Sequence, residues 1–322
     1  MKNLVVCLDG TWDGTHSDSP LLTNVMFIAD SCVSDVGRSV SKTQVVYYGD
    51  GVGVGSLMID KYVMGALGYG VFTQARRAWK FLRLNYQPGD KIYIFGFSRG
   101  AYAARQLASM IVHCGVDNST WSNIESDFRA WLEVAGMPVQ FPRAEVEFLG
   151  LFDCVPANHF IGKKMNRSRL NSPVLEKGIK NVRHALANSE RRWSFEPLVF
   201  VDNGNHDSFD QLIFPGYHRD VGGGGPSSEG LATIPMWWIM RAAYGLDLEF
   251  RMISCRRHHV EEMFMGNVNR NAKAQSSDNF ATVWLHIRHV RSHHSVFNAT
   301  PPAEAVDNMA MCPRLGCGYN MF

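Results

Sequence analysis

Residues 91–100 read Lys-Ile-Tyr-Ile-Phe-Gly-Phe-Ser-Arg-Gly, and they limit the possible folds more tightly than any other stretch of the chain. Ile92, Tyr93, Ile94 and Phe95 form an apolar, β-branched and aromatic run that predicts a buried strand. Residues 101–111 are rich in helix formers and predict a helix. Gly96-Phe97-Ser98-Arg99-Gly100 lies between them, a G-x-S-x-G pattern. A strand, a tight turn and a helix in this order make a nucleophile elbow, in which a strained turn lifts a serine hydroxyl clear of a sheet. Glycine on both flanks leaves room for neighbouring backbone. The pentapeptide alone is a frequent chance match, and the strand before it and the helix after it are what give it weight.

The rest of the chain supplies further strands and helices in alternation. Residues 4–8 predict a buried strand that ends in Asp9-Gly10-Thr11-Trp12, and residues 24–33 predict a helix. Residues 43–48 predict a second strand, and residues 72–86 a helix halted by Pro88-Gly89-Asp90. Gly115 is a plausible stop for the elbow helix. A further helix is expected around residues 124–134, within an insertion at 117–145 above the sheet. Residues 146–152 predict the next strand. Residues 181–188 read as helical, residues 197–201 and 211–214 as strands, and residues 234–244 as a helix. The expected architecture is α/β: one domain over residues 1–322, a mostly parallel sheet with helices on both faces, and a divergent part at 251–322.

A serine hydroxyl is a weak nucleophile near neutral pH. It needs a base to take its proton and an acid to orient the base. In α/β-hydrolases these follow in the order Ser, Asp or Glu, His, on loops at the carboxyl ends of strands. Asp153 is the first polar residue after an apolar strand and fits the acid; Asp202 is the rival. His218 follows Phe214-Pro215-Gly216-Tyr217 at a strand end and precedes Arg219-Asp220-Val221-Gly222-Gly223-Gly224-Gly225, a loop flexible enough to fold back toward the elbow. His184 and His294 are the rival bases. The oxyanion donors expected are the Arg99 amide and an amide of Gly10 or Thr11. Asp9 and Asp220 are expected to support the site.

Composition removes several alternatives. The net charge of +2 leaves no nucleic-acid footprint. The seven cysteines are irregularly spaced, with no C-x-x-C pair, and are expected to be reduced. No stretch approaches the ~18 apolar residues of a membrane span, and no secretory signal is visible. Synthesis in the cytoplasm is therefore expected. Gly51, Gly53 and Gly55 lack the spacing of a dinucleotide site, and Gly222 to Gly225 lack the lysine of a P-loop. His286 and His289 would face opposite sides of a strand. No metal and no cofactor are expected, and the oligomeric state is open.

Several segments together resemble one family, the bacterial α/β-hydrolases that include type VI secretion phospholipase effectors of the first class. They are Leu8 to Trp12, Thr23-Asn24-Val25, Tyr47-Tyr48 with Gly51-Val52-Gly53, and Tyr93 to Tyr102 with Ala104-Arg105. Phe148 to Val155, Arg183 to Ala187 with Glu190-Arg191-Arg192, and Phe214 to Gly224 complete the set. They stand in the family's order over roughly residues 1–250 and form a specific set. Cys154 stands where members usually have Thr, and Asp13 where they usually have Asn. The resemblance implies Ser98, Asp153 and His218 as a triad, a phospholipid substrate, and export by a specialised secretion system as a bacterial toxin.

Three classes of function follow from these readings. The first is a phospholipase A-type lipase that touches the membrane peripherally, working through an acyl-enzyme. The apolar, glycine-broken stretch at residues 57–72 would serve it as a lid or acyl groove. The second is a soluble esterase or thioesterase with a small ester substrate. The third is a binding protein on the same fold.

Overall fold

The computed structural model describes residues 1–10, 22–32, 43–51, 60–116, 124–156, 167–192, 195–225 and 229–250. Six parallel strands form its centre: β1 (Asn3–Leu8), β2 (Gln44–Gly49), β3 (Lys91–Phe97), β4 (Val146–Phe152), β5 (Ile179–Ala187) and β6 (Ser208–Phe214), in the spatial order β2-β1-β3-β4-β5-β6. Seven helices are described: α1 (Asn24–Ser31), α2 (Asp60–Asn85), α3 (Arg99–Cys114), α4 (Ile124–Val134), α5 (Arg167–Leu170), α6 (His218–Gly222) and α7 (Glu229–Tyr244).

The central strands are apolar along their whole length because both faces are covered. Leu4, Val6, Leu8, Ile92, Ile94, Leu149 and Leu151 pack beneath residues of α2 and α3, such as Ala75, Trp79, Leu82, Ala104 and Leu107. The alternate residues Val5, Cys7, Tyr93, Phe95, Phe97, Phe148 and Phe152 face Val25 and Ile28 of α1 and Ile239, Met240 and Ala243 of α7. The two-residue period of a strand sorts its side chains between the two cores.

Chain direction along the sheet reverses between β1 and β3. From β1 the chain moves outward to β2, returns to β3 and then proceeds the other way. In open parallel sheets such a reversal leaves a crevice at the carboxyl ends of the two strands. Here those ends carry Asp9-Gly10 and Ser98. Register keeps the edge level: Leu8 lies opposite Gly96, Phe97 opposite Phe152, and Phe152 opposite Ala185.

The helix expected at 124–134 is α4. It docks on α3 and α2, with Trp131 Nε1 donating to Ser109 Oγ at 3.0 Å and the rings of Phe128 and Trp131 against Phe72. The helix expected at 72–86 begins earlier, at Asp60. Gly115 does end α3, at φ +80°.

Three local expectations are corrected. Residues 181–188 fall in β5, not in a helix: Ala185, Leu186 and Ala187 have helical propensity, but a position between two paired strands overrides it. Residues 197–201 form no ladder, only an isolated bridge from Val201 to Val174. Pro197 lacks the N–H that a ladder needs. Residues 219–222, expected in a flexible loop, are instead helical and continue α6, which His218 opens.

Cys7, Cys32 and Cys154 are buried and Cys114 half-buried, all as free thiols. Among the described residues no helix is long and apolar enough to cross a membrane.

Candidate active site

Ser98 stands between β3 and α3 at φ 58°, ψ −124°, a backbone conformation that L-residues avoid. Surrounding contacts hold it there. Its amide donates to Phe152 O at 3.0 Å, and its carbonyl accepts from Tyr102 N at 3.2 Å and Val155 N at 3.1 Å. The elbow is thereby fastened to the end of β4. A Cβ on Gly96 would stand 2.6 Å from Ala101 Cα, and one on Gly100 would stand 2.2 Å from Leu8 O and 2.4 Å from Asp9 O. The pattern thus needs glycine at both flanks, because helix and sheet approach through bare backbone there.

Asp153 follows β4 at φ 40°, a second strained residue. It is fully buried. Its amide donates to Ala185 O at 2.7 Å, and its Oδ1 accepts from Ala187 N at 3.1 Å. Its Oδ2 lies 2.7 Å from His218 Nδ1. A carboxylate offers only acceptors, so Nδ1 carries the proton and Nε2 keeps a lone pair.

His218 is buried beneath aromatic rings. Its ring lies 4.7 Å from that of Phe97, the residue before the elbow serine, and 4.8 Å from that of Phe195, which meets it edge-on. Loss of water lowers its pKa, against the attraction of Asp153 and Glu190. The imidazole is thus kept neutral, as a proton acceptor must be.

The short helix α6 is braced from two sides. Asp220 Oδ2 accepts from Tyr217 N at 2.8 Å and caps the helix. Asn24 of α1 donates to Val221 O and Ala232 O, both at 2.8 Å. Gly222 passes against the Phe97 ring, where an added Cβ would stand 2.0 Å from a ring carbon.

Asp9 ends β1 with its carboxylate buried. Oδ2 accepts from Thr23 Oγ1 at 2.5 Å and Tyr48 Oη at 2.7 Å, and Oδ1 accepts from the Gly10 amide at 2.8 Å. Burial pushes the Asp9 carboxyl up to about 6, although all three hydrogen bonds pull it down. The Gly10 amide, expected to face an oxyanion, is therefore committed to its own turn. Arg99 opens α3, with its amide at the positive end of that helix. Thr11 lies outside the described residues.

Of the rival site residues, Asp202 is exposed and accepts from Gly204 N in a turn. His184 is fully buried, with Nε2 accepting from Cys154 N at 3.2 Å and Nδ1 against Gln211 Oε1 at 2.8 Å. Both of its nitrogens are used structurally. His294 lies outside the described residues, as do His286, His289 and Gly53. Among the described residues no group of three or more His, Cys, Asp or Glu could hold a metal ion.

Sequence reasoning gave no role to Thr23, Tyr48, Glu190, Arg192 or Phe195, which lie around Asp9 and His218. The first four fall in segments that carry the family resemblance, and that was their one signal.

The model for the family described as T6SS phospholipase effector Tle1-like, catalytic domain, matches residues 2–242. Among solved structures, the Tle1 effector bound to the VgrG spike of the type 6 secretion system is 14% identical, with 88% of this chain and 82% of that chain covered at a TM-score of 0.49. An uncharacterized protein from Pseudomonas aeruginosa is 16% identical, with 88% and 52% covered at a TM-score of 0.46. An uncharacterized protein of Saccharomyces cerevisiae is 26% identical over 233 residues, 62% of this chain and 33% of the yeast protein. The chain thus spans about a third of the length of that relative. On the match over residues 2–242, this chain belongs to the family of Tle1-like catalytic domains of type VI secretion phospholipase effectors.

Proposed function

We propose that the chain is a serine hydrolase that cleaves carboxylic esters of phospholipids through an acyl-enzyme. The reading is carried by one observation: a buried His218–Asp153 hydrogen bond of 2.7 Å whose imidazole packs on the residue preceding a strained elbow serine. Membership of a phospholipase family supports a lipid ester as substrate.

In the proposed reaction Ser98 Oγ attacks the acyl carbonyl while Nε2 of His218 takes its proton. Asp153 holds the Nδ1 proton and stabilises the imidazolium. The oxyanion meets the Arg99 amide at the start of α3. The Gly10 amide joins only when Asp9 releases it, and Thr11 is its alternative. The tetrahedral intermediate expels the alcohol, which takes the proton from Nε2. Water then repeats the sequence on the acyl-enzyme, returning Ser98 and a free acid. Delivery by a specialised secretion system and peripheral contact with the bilayer belong to the same proposal.

The test compares purified protein with Ser98→Ala on phospholipid vesicles and on a short-chain soluble ester. Release of fatty acid and lysophospholipid by the wild type alone supports the reading. Hydrolysis of the soluble ester with vesicles untouched replaces the phospholipase by a soluble esterase. Equal turnover by Ser98→Ala removes the serine mechanism.

A further inference from the structure

Glu190, Arg192 and Phe195 have no part in the proton transfers above, yet they enclose His218. Glu190 is buried. Its Oε1 accepts from Arg191 N, Arg192 N and Arg192 Nε, each at 2.9 Å. Its Oε2 accepts from Arg192 Nη2 at 2.7 Å and, at a longer 3.4 Å, from the His218 amide. The Arg192 guanidinium lies 3.6 Å from the centroid of Phe195. Phe195 in turn makes a T-shaped contact with the His218 imidazole, with 72° between the ring planes. The contacts close a circuit from Glu190 through Arg192 and Phe195 to His218 and back. Only a planar guanidinium can both fork onto a carboxylate and lie flat on a ring.

We infer that Glu190 and Arg192 are positioning residues for the catalytic base: the forked pair holds the backbone of His218 through Oε2 and fixes its ring plane through Phe195. The inference rests on reading His218 as the base. Every charged group facing the imidazole bears on it. Asp153, at the end of β4, and Glu190 favour the imidazolium, whereas Arg192 opposes it. The Arg99 guanidinium also approaches the cluster, 6.0 Å from the centroid of the Phe195 ring. On α6 itself, Asp220 is held by its cap, and Arg219 donates to Gly224 O at 2.9 Å. The Glu190–Arg192 pair therefore supplies rigidity while its two charges oppose each other at the base.

This balance makes the test specific. Glu190→Gln keeps the shape but withdraws one attraction, while the opposing charge of Arg192 stays. The change favours neutral imidazole, so the acid limb of kcat/KM moves to lower pH, by about one unit. A weaker base also lowers kcat about tenfold, while KM for a short soluble ester stays unchanged. Arg192→Lys keeps the charge but loses the fork and the flat ring contact. It should lower kcat about tenfold with the acid limb in place.

The experiment measures pH profiles on a short-chain ester, and the His218 titration by NMR, in the full chain and both variants. A parallel downward shift of limb and titration in Glu190→Gln, with kcat alone reduced in Arg192→Lys, supports the inference. A folded Glu190→Gln with unchanged titration and with kcat within twofold of wild type overturns it. Should Glu190→Gln fail to fold, wild-type kcat in Arg192→Lys overturns it equally. If the wild type hydrolyses no ester, the catalytic reading fails, and the NMR titration still decides whether Glu190 and Arg192 govern the ring.

Discussion

At the scale of single residues, Ser98 and Asp9 are held at a cost that can be measured. Ser98 occupies a positive-φ conformation, a strain of about 1–3 kcal/mol. Glycine adopts it freely, with an entropic penalty of roughly 0.5–1 kcal/mol. Ser98→Gly should therefore be inactive yet melt at a higher temperature than wild type, whereas Ser98→Ala, which keeps the strain, should melt near it. Thermal melts followed by circular dichroism would separate the two. Asp9 is the second group. Its carboxyl is raised from the ordinary aspartate value to about 6, chiefly by burial. It holds its proton more tightly folded than unfolded, so it favours the folded chain in acid. That contribution fades as pH rises from about 4 to about 6, and by pH 7 amounts to roughly 3 kcal/mol lost. Asp9→Asn keeps an acceptor for the Gly10 amide and cannot ionise. Its denaturant stability should gain on that of the wild type across that interval, because the other titrating groups are common to both; parallel curves would show that Asp9 is not the group titrating.

At the scale of elements, the elbow works because helix and strand meet without side chains between them. Gly100 leaves no space beside Leu8 O and Asp9 O, both backbone atoms that cannot rotate away. Gly100→Ala should push the start of α3 from the end of β1. We expect a loss of about 1–3 kcal/mol, the usual range for overpacking, together with at least a hundredfold fall in turnover on a soluble ester. Unfolding and rate measurements on one preparation check both. The same element shows what a local pattern can reveal. Strand β3, the turn and α3 were all legible, because residue types at fixed offsets express the bond geometry directly. β5 was not. Residues 183–187 carry helical propensities, and what makes them a strand is the pair of neighbours β4 and β6, which lie far away along the chain. α6 was hidden for a similar reason: five residues hold no period, and the caps from Asp220 and Asn24 are what make the helix.

At the scale of the whole molecule, α3 is tied to the segment before β5 by polar groups as well as apolar contact. Arg105 of α3 and Glu176, just before β5, form a buried ion pair at 3.5 Å, and Ser109 donates to Glu176 Oε1 at 2.7 Å. Glu176→Ala would leave a guanidinium buried without its carboxylate. It should cost about 3–5 kcal/mol in denaturant unfolding, and pairing it with Arg105→Met should recover most of the loss. A small effect of the single change would show that solvent reaches Arg105. The parallel sheet brings Asp9, Ser98, Asp153 and the start of α6 to one edge, although they span more than two hundred positions of the chain. The sequence by itself determined the strand, turn and helix around Ser98, the place of Asp153 at the end of a strand, and the alternation of strands and helices, because these follow from local sterics and from the order of the chain. Only the tertiary structure decided that the Gly10 amide turns to Asp9 and that Glu190, Arg192 and Phe195 surround His218. The Gly10 turn forms around a carboxylate that burial and the distant Thr23 and Tyr48 hold in place, and the Glu190 cluster meets His218 across 28 positions of the chain; neither burial nor such an approach is written in the spacing of residues.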